Sequence, residues 1–113
     1  MNQDKIRSIV RYLSEPTGRG QVAWKVLSEN EFQVDFGGSS IVTGLEGYGP
    51  YLNILNRDGA RIVSIDTTNI ETFGMPPDVL IEIYSRAENQ ILRIEETLDD
   101  ILNNLKNPED RYQ

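Results

Sequence analysis

The residue types in this chain limit the chemistry that it can perform. Its 113 residues include no histidine and no cysteine, so it lacks the usual general base near neutral pH, the imidazole metal ligand and the thiolate nucleophile. Carboxylates, lysines and tyrosines remain, and no spacing among them matches a catalytic or ligand-binding motif. We therefore predict a protein that is not an enzyme and that has no catalytic residues, no cofactor and no metal ion.

Two glycine-containing stretches resemble ligand-binding loops only superficially. "GLEGYG" at 44–49 contains three glycines, but their order is not G-x-G-x-x-G and no helix follows to bind a phosphate group. "NRDG" at 56–59 resembles the middle of a calcium loop, yet Ile54 and Ile65 would occupy the first and last ligand positions. We interpret the first as a loop and the second as a β-turn in which Gly59 takes a positive φ.

The C-terminal segment carries the clearest candidate surface, an apolar stripe beside acidic residues. The apolar positions recur at steps of three and four, which is typical of one helix face, and the acids lie between them. The apolar set is Ile91, Ile94, Leu98, Ile101 and Leu105, and the acidic set is Glu95, Glu96, Asp99 and Asp100. Acids four residues apart on a helix could hold a weak divalent ion, but a solvated acidic face is the simpler interpretation. We predict that this surface is an interaction site.

A narrow apolar stripe needs a partner, and the sequence offers two. Near the start of the chain, Ile6, Ile9, Val10 and Leu13 form a matching helical face surrounded by Lys5, Arg7 and Arg11. The other candidate is the same stripe in a second copy, which would give a two-fold dimer. We expect a homodimer, and the sequence leaves open which of the two surfaces covers the stripe.

Aromatic residues suggest a second, smaller surface. Tyr48 and Tyr51 flank Gly49 and Pro50, and we predict an exposed aromatic loop there. Trp24 lies in a segment rich in branched residues, so we expect it to belong to the core.

The elements that position these residues follow from hydrophobic periodicity and turn residues. Strand patterns about ten residues apart, joined by short turns, predict an antiparallel meander rather than β-α-β units. We expect a single α+β domain over 1–113, with the final helix packed on one sheet face. The sequence leaves open whether that helix is broken near Ser85 to Gln90. The predicted ranges are a helix at about 3–14, strands at about 22–27, 31–36, 40–45, 51–56 and 60–66, and a helix at about 77–105.

Charge distinguishes the classes of function that remain. Eleven Lys and Arg against eighteen Asp and Glu give −7, which disfavours binding to a phosphate backbone. Residues 1–30 contain five basic and three acidic side chains, a net +2, so the remainder carries −9. We predict a small acidic interaction or accessory module, of an adaptor, chaperone-like, immunity-like or antitoxin-like kind, that contacts a basic protein partner through its acidic C-terminal helix face.

Two alternatives belong to other classes. A single-stranded nucleic-acid binder would need a basic sheet face bearing Arg19, Lys25, Arg57 and Arg61. A small-molecule binder would need a pocket between sheet and helix, lined by converging polar groups.

We expect the protein to be cytoplasmic and not to associate with a membrane. Met1 to Lys5 are polar, and no apolar stretch approaches the ~20 residues that a bilayer-spanning helix needs. The absence of cysteine gives no support for an oxidising compartment.

Overall fold

The structure is a computed structural model that describes residues 2–15 and 22–107, apart from the side chains of residues 94 and 95. It has the predicted α+β class, with an N-terminal helix, a five-stranded antiparallel sheet and later helices. The elements are α1 (Asn2–Ser14), β1 (Lys25–Ser28), β2 (Glu31–Phe36), β3 (Ser39–Glu46), β4 (Gly49–Leu55), β5 (Arg61–Asp66), a short 3-10 helix (Ile70–Phe73), α2 (Asp78–Leu92) and α3 (Ile94–Lys106).

The five strands form a meander in the order β1-β2-β3-β4-β5, and each pair is antiparallel. The predicted turn after β4 is confirmed, because Gly59 has φ of 82°. The Asn56 side chain fastens this turn by accepting hydrogen bonds from the backbone N–H groups of Asp58 and Ala60 at 2.9 and 3.0 Å. Short turns of this kind place consecutive strands side by side.

The inner face of the sheet forms the core with α2. Because side chains alternate along each strand, two cross-strand rows of residues lie on this face. The first row is Phe32, Thr43, Leu52 and Ile65, and the second is Val34, Ile41, Ile54 and Val63. Helix α2 buries Leu80, Ile83, Tyr84 and Ala87 against the sheet. The rings of Tyr84 and Phe32 lie 5.4 Å apart between centroids. Trp24 is buried in the same core, as predicted.

The segment before β1 is attached to α2 rather than to the sheet. The Gln90 side chain accepts a hydrogen bond from the Trp24 backbone N–H at 2.7 Å and donates one to the Val22 carbonyl at 2.8 Å. Strand β1 therefore begins at Lys25, later than the predicted residue 22.

Helix α1 packs beside α2. Its Val10 is fully buried, the Arg7 Nε donates to the Phe73 carbonyl at 3.1 Å, and the Arg86 Nε of α2 donates to the Ser14 carbonyl at 3.1 Å. The apolar face of α1 is thus part of the core, so α1 does not cover the C-terminal stripe.

The helix predicted at 77–105 is divided at Arg93. This residue has φ 51° and ψ 47°, in the left-handed region. Its N–H donates to the Asn89 carbonyl at 2.8 Å to end α2, and its carbonyl accepts from the Thr97 N–H at 2.9 Å to begin α3. The break lies beyond the predicted Ser85 to Gln90. Arginine does not favour this conformation, so no residue type marks the place.

Within residues 2–15 and 22–107, no helix combines the length and apolar character that crossing a membrane requires.

Candidate functional site

Helix α3 is exposed on all sides over its described side chains. Every side chain from Glu96 to Lys106 is solvent-exposed, and the large apolar ones are 48–61% exposed. Of the predicted stripe, Leu98, Ile101 and Leu105 lie on this exposed helix, whereas Ile91 packs partly against the core. The side chains of Ile94 and Glu95 fall outside the described part of the chain.

One stripe residue was missed by the sequence analysis. Leu102 lies one turn beyond Leu98 and is also exposed, at 48%, but the 3.5-residue period used for the prediction selects Ile101 and Leu105 instead. On an α-helix the positions i, i+3, i+4 and i+7 share a face. We call Leu98, Ile101, Leu102 and Leu105 the α3 stripe.

The acids of α3 at positions 96, 99 and 100 are exposed to solvent. Glu96 lies 3.9 Å from the Arg93 Nε in an exposed and weak ion pair. No ion pair or side-chain hydrogen bond is formed by Asp99 or Asp100 within the described residues. Residues 94–106 contain four acids and one lysine, a net charge of −3. Nowhere in the described part of the chain do three acidic side chains gather closely enough to hold a metal ion.

A second apolar surface lies between α1 and the sheet. A cavity of about 600 Å³ separates the first half of α1 from β4 and β5, and its lining includes Lys5, Ile6 and Val63. A cavity of about 350 Å³ lies near the end of α1, where Tyr12 and Phe36 border it. Both cavities are also lined by Ile9 and Ile54. We call the two together the α1 trough.

The α1 trough was not predicted. The periodicity of α1 shows which residues share a face, but the width of the gap between that face and the sheet depends on packing. The exposed apolar residues at its border are Tyr12, Phe36 and Ile62. It is the pocket between sheet and helix that the small-molecule alternative requires, but its walls are mainly aliphatic and aromatic and offer few converging polar groups.

The outer face of the sheet carries a polar pocket of about 190 Å³ around Tyr51. The prediction that Tyr51 is exposed was wrong: it is a strand residue only 9% exposed, because its ring lies on the sheet. Tyr48 is 70% exposed, as predicted. Its hydrogen bond with Glu46 raises the pKa of the Tyr48 hydroxyl. The two tyrosines therefore do not form one exposed loop.

Hydrogen bonds lower the pKa of two carboxyls in this pocket, those of Glu31 and Asp66. The Tyr51 hydroxyl donates to Glu31, and this bond lowers the pKa of the Glu31 carboxyl, with a further contribution from Ser28. Thr68 donates from its hydroxyl and N–H to Asp66, which lowers the pKa of that carboxyl. Neither group is suited to act as a general acid near neutral pH. Burial and the Glu31 contact raise the pKa of Tyr51.

Two of the basic residues that the nucleic-acid alternative requires, Lys25 and Arg61, lie on the outer face of the sheet, but carboxylates accompany both. The Lys25 Nζ lies 2.6 Å from an Asp35 carboxylate oxygen, and Arg61 lines the polar pocket together with Glu31 and Asp66. Arg57 lies beside Gly38 at the end of β2. Arg19 lies outside the described residues.

No known family model matches this sequence, and no curated protein and no solved structure is significantly similar to it.

Proposed function

We propose that this protein is a non-enzymatic interaction module that binds another protein surface through α3. The observation that supports this proposal is that every side chain of α3 from Glu96 to Lys106 is exposed, including those of its apolar face. Helix α3 has 13 residues, and an isolated helix of about 12–15 residues is only marginally stable in water. A partner that covers the α3 stripe would stabilise the helix as well as bury its side chains.

The chemistry of α3 specifies its partner. Leu98, Ile101, Leu102 and Leu105 need an apolar groove, because removing such side chains from water is favourable by about 1.5–3 kcal/mol each when burial is complete. The net charge of −3 on residues 94–106 favours a groove with a basic border, since complementary charges speed association and select the partner. The proposed partner surface is therefore an apolar groove bordered by lysine or arginine.

The absence of cysteine makes a direct test simple. Leu102→Cys places one thiol on the α3 stripe, and Asn103→Cys places a matched thiol on the opposite side of the same helix. Maleimide labelling of each full-length variant is measured at low concentration in buffer and in extract of the native host. We expect the Leu102→Cys thiol to be labelled at least about tenfold more slowly in extract, with little change for Asn103→Cys. Equal labelling of the two thiols both in extract and in buffer at every protein concentration would refute the proposal.

A further inference from the structure

We propose that the surface bound by α3 belongs to a second copy of this chain: α3 of each copy docks in the α1 trough of the other. This proposal rests on the proposed function and identifies its partner. The result is a closed two-fold dimer with two equivalent contacts, which is the commonest symmetry of soluble oligomers.

The dimensions of the two surfaces agree. Helices α1 and α3 each have 13 residues, so each is about 20 Å long at ~1.5 Å per residue. The α1 trough follows nearly the whole of α1, since Lys5 lines one cavity, Tyr12 the other and Ile9 both. A helix as long as α3 can therefore lie alongside α1 over the sheet.

The apolar faces are complementary as well. The exposed side chains of the α3 stripe are aliphatic, and the α1 trough is walled by Ile9, Ile54 and Phe36 among others. Both surfaces are apolar and accessible to solvent in the single chain. Docking of the α3 stripe in the α1 trough removes both from water, which is favourable.

Charge distinguishes this arrangement from a pair of α3 helices. Residues 94–106 carry a net charge of −3. Of the basic residues of α1, Lys5 lies on the α1 trough, whereas Arg7 and Arg11 line a separate groove that faces the start of α2. Lys5 borders the α1 trough, where it can attract the acids of an incoming α3. Two α3 helices packed on each other would instead bring acidic residues of both copies together, which is unfavourable.

The direction of α3 favours a second copy over its own trough. The molecule extends 59 Å along its longest axis and only 29 and 28 Å along the others. The left-handed backbone of Arg93, at φ 51° and ψ 47°, turns the chain between α2 and α3. A helix whose described side chains, Glu96 to Lys106, are all exposed can be reached by another molecule.

The oligomeric state of the purified full-length chain tests the proposal. Sedimentation equilibrium of the unmodified protein should show a dimer. Leu102→Asp on the α3 stripe and Tyr12→Asp at the α1 trough should each raise the dissociation constant at least about tenfold, because a carboxylate would be buried at the contact. Both sites are exposed in the single chain, so the variants should fold, and circular dichroism checks this. Val26→Asp, at an exposed apolar residue of β1, is the matched control and should leave the dimer intact.

Disulfide formation identifies which surfaces meet. When Tyr12→Cys and Leu102→Cys proteins are mixed and oxidised, we expect the mixed disulfide to predominate. Predominance of the Leu102→Cys homodisulfide would indicate paired α3 helices and refute the proposal. A monomer with slow maleimide labelling at Leu102→Cys would indicate docking within one chain and also refute it.

Failure of this proposal and failure of the proposed function are distinguishable. If the purified protein is a monomer whose Leu102→Cys thiol is labelled quickly in buffer but slowly in host extract, α3 binds a different protein. The proposed function then stands and the second copy is excluded. If the thiol is labelled quickly in buffer at every protein concentration and also in extract, both proposals are wrong.

Discussion

The hydroxyl of Tyr51 on β4 reaches across β3 to the carboxylate of Glu31 on β2. The strand register places Gly44 between them, opposite Glu31 on one side and Tyr51 on the other. The Tyr51 ring occupies the space where any other residue at 44 would have its Cβ. Glycine at this position is therefore required for a polar contact between strands that are not neighbours.

Gly44→Ala should destabilise the protein by about 1–3 kcal/mol, because the new methyl group would overlap the Tyr51 ring and force it to move. Urea unfolding measures the change. Gly47→Ala is the matched control, because no atom lies within 4 Å of its added Cβ, and it should be nearly neutral. In a Tyr51→Ala background the cost of Gly44→Ala should largely disappear. An equal cost in both backgrounds would show that the ring does not occupy this space.

Tyr51→Phe should raise the pKa of Glu31 towards its ordinary value of 4.5, because the largest cause of the lowered pKa is the hydrogen bond from Tyr51. A carboxyl whose pKa is lowered by folding stabilises the protein above its unfolded pKa. That contribution is lost as the pH falls through the folded pKa. The difference in free energy of unfolding between the unmodified protein and Tyr51→Phe should therefore become smaller below about pH 4.5.

NMR titration of the Glu31 carboxyl and urea unfolding at several pH values test this expectation. Ser28→Ala serves as the comparison, since Ser28 is the second cause of the shift and should have a smaller effect. A Glu31 pKa that is unchanged in Tyr51→Phe would contradict the assignment of the hydrogen bond.

Arg93→Gly should leave stability unchanged or raise it by up to about 1 kcal/mol, because glycine adopts positive φ without the steric cost that arginine bears. If residues 77–105 were one continuous helix, the same change would instead cost about 1 kcal/mol. Urea unfolding shows whether Arg93→Gly raises or lowers the free energy of unfolding. Glu82→Gly, at an exposed position inside α2, is the control and should show that cost.

The backbone of α3 should be protected from hydrogen exchange only when the protein is associated. Every side chain of α3 from Glu96 to Lys106 is exposed in the single chain, so the amides of this part should exchange much faster than those of α2 in dilute protein. Raising the protein concentration should slow exchange in α3 and leave α2 nearly unchanged. Leu102→Asp should keep α3 in fast exchange at every concentration. Strong protection of α3 in dilute protein would show that the helix is stabilised within one chain.

The local parts of the fold could be predicted from the sequence. Phe32 and Val34 alternate with polar residues, which assigns one face of β2 to the core, and "NRDG" identifies the turn at Gly59. The inner position of Trp24 and the apolar face of α1 also follow from residue type and period. These features depend on interactions between residues close in sequence, whose spacing is visible in the chain itself.

Other features were decided by packing between distant segments. The sequence left the partner of the α1 face open, and the structure places Val10 and Leu13 of that face in the core beside α2, whereas Ile6 and Ile9 line the α1 trough. The break at Arg93 comes just after the last helical residues that pack on the core. The α1 trough and the contact between Tyr51 and Glu31 depend on strand register and on the distance between layers. Hydrophobic periodicity determines which side chains share a face, but only the tertiary structure decides what lies opposite that face.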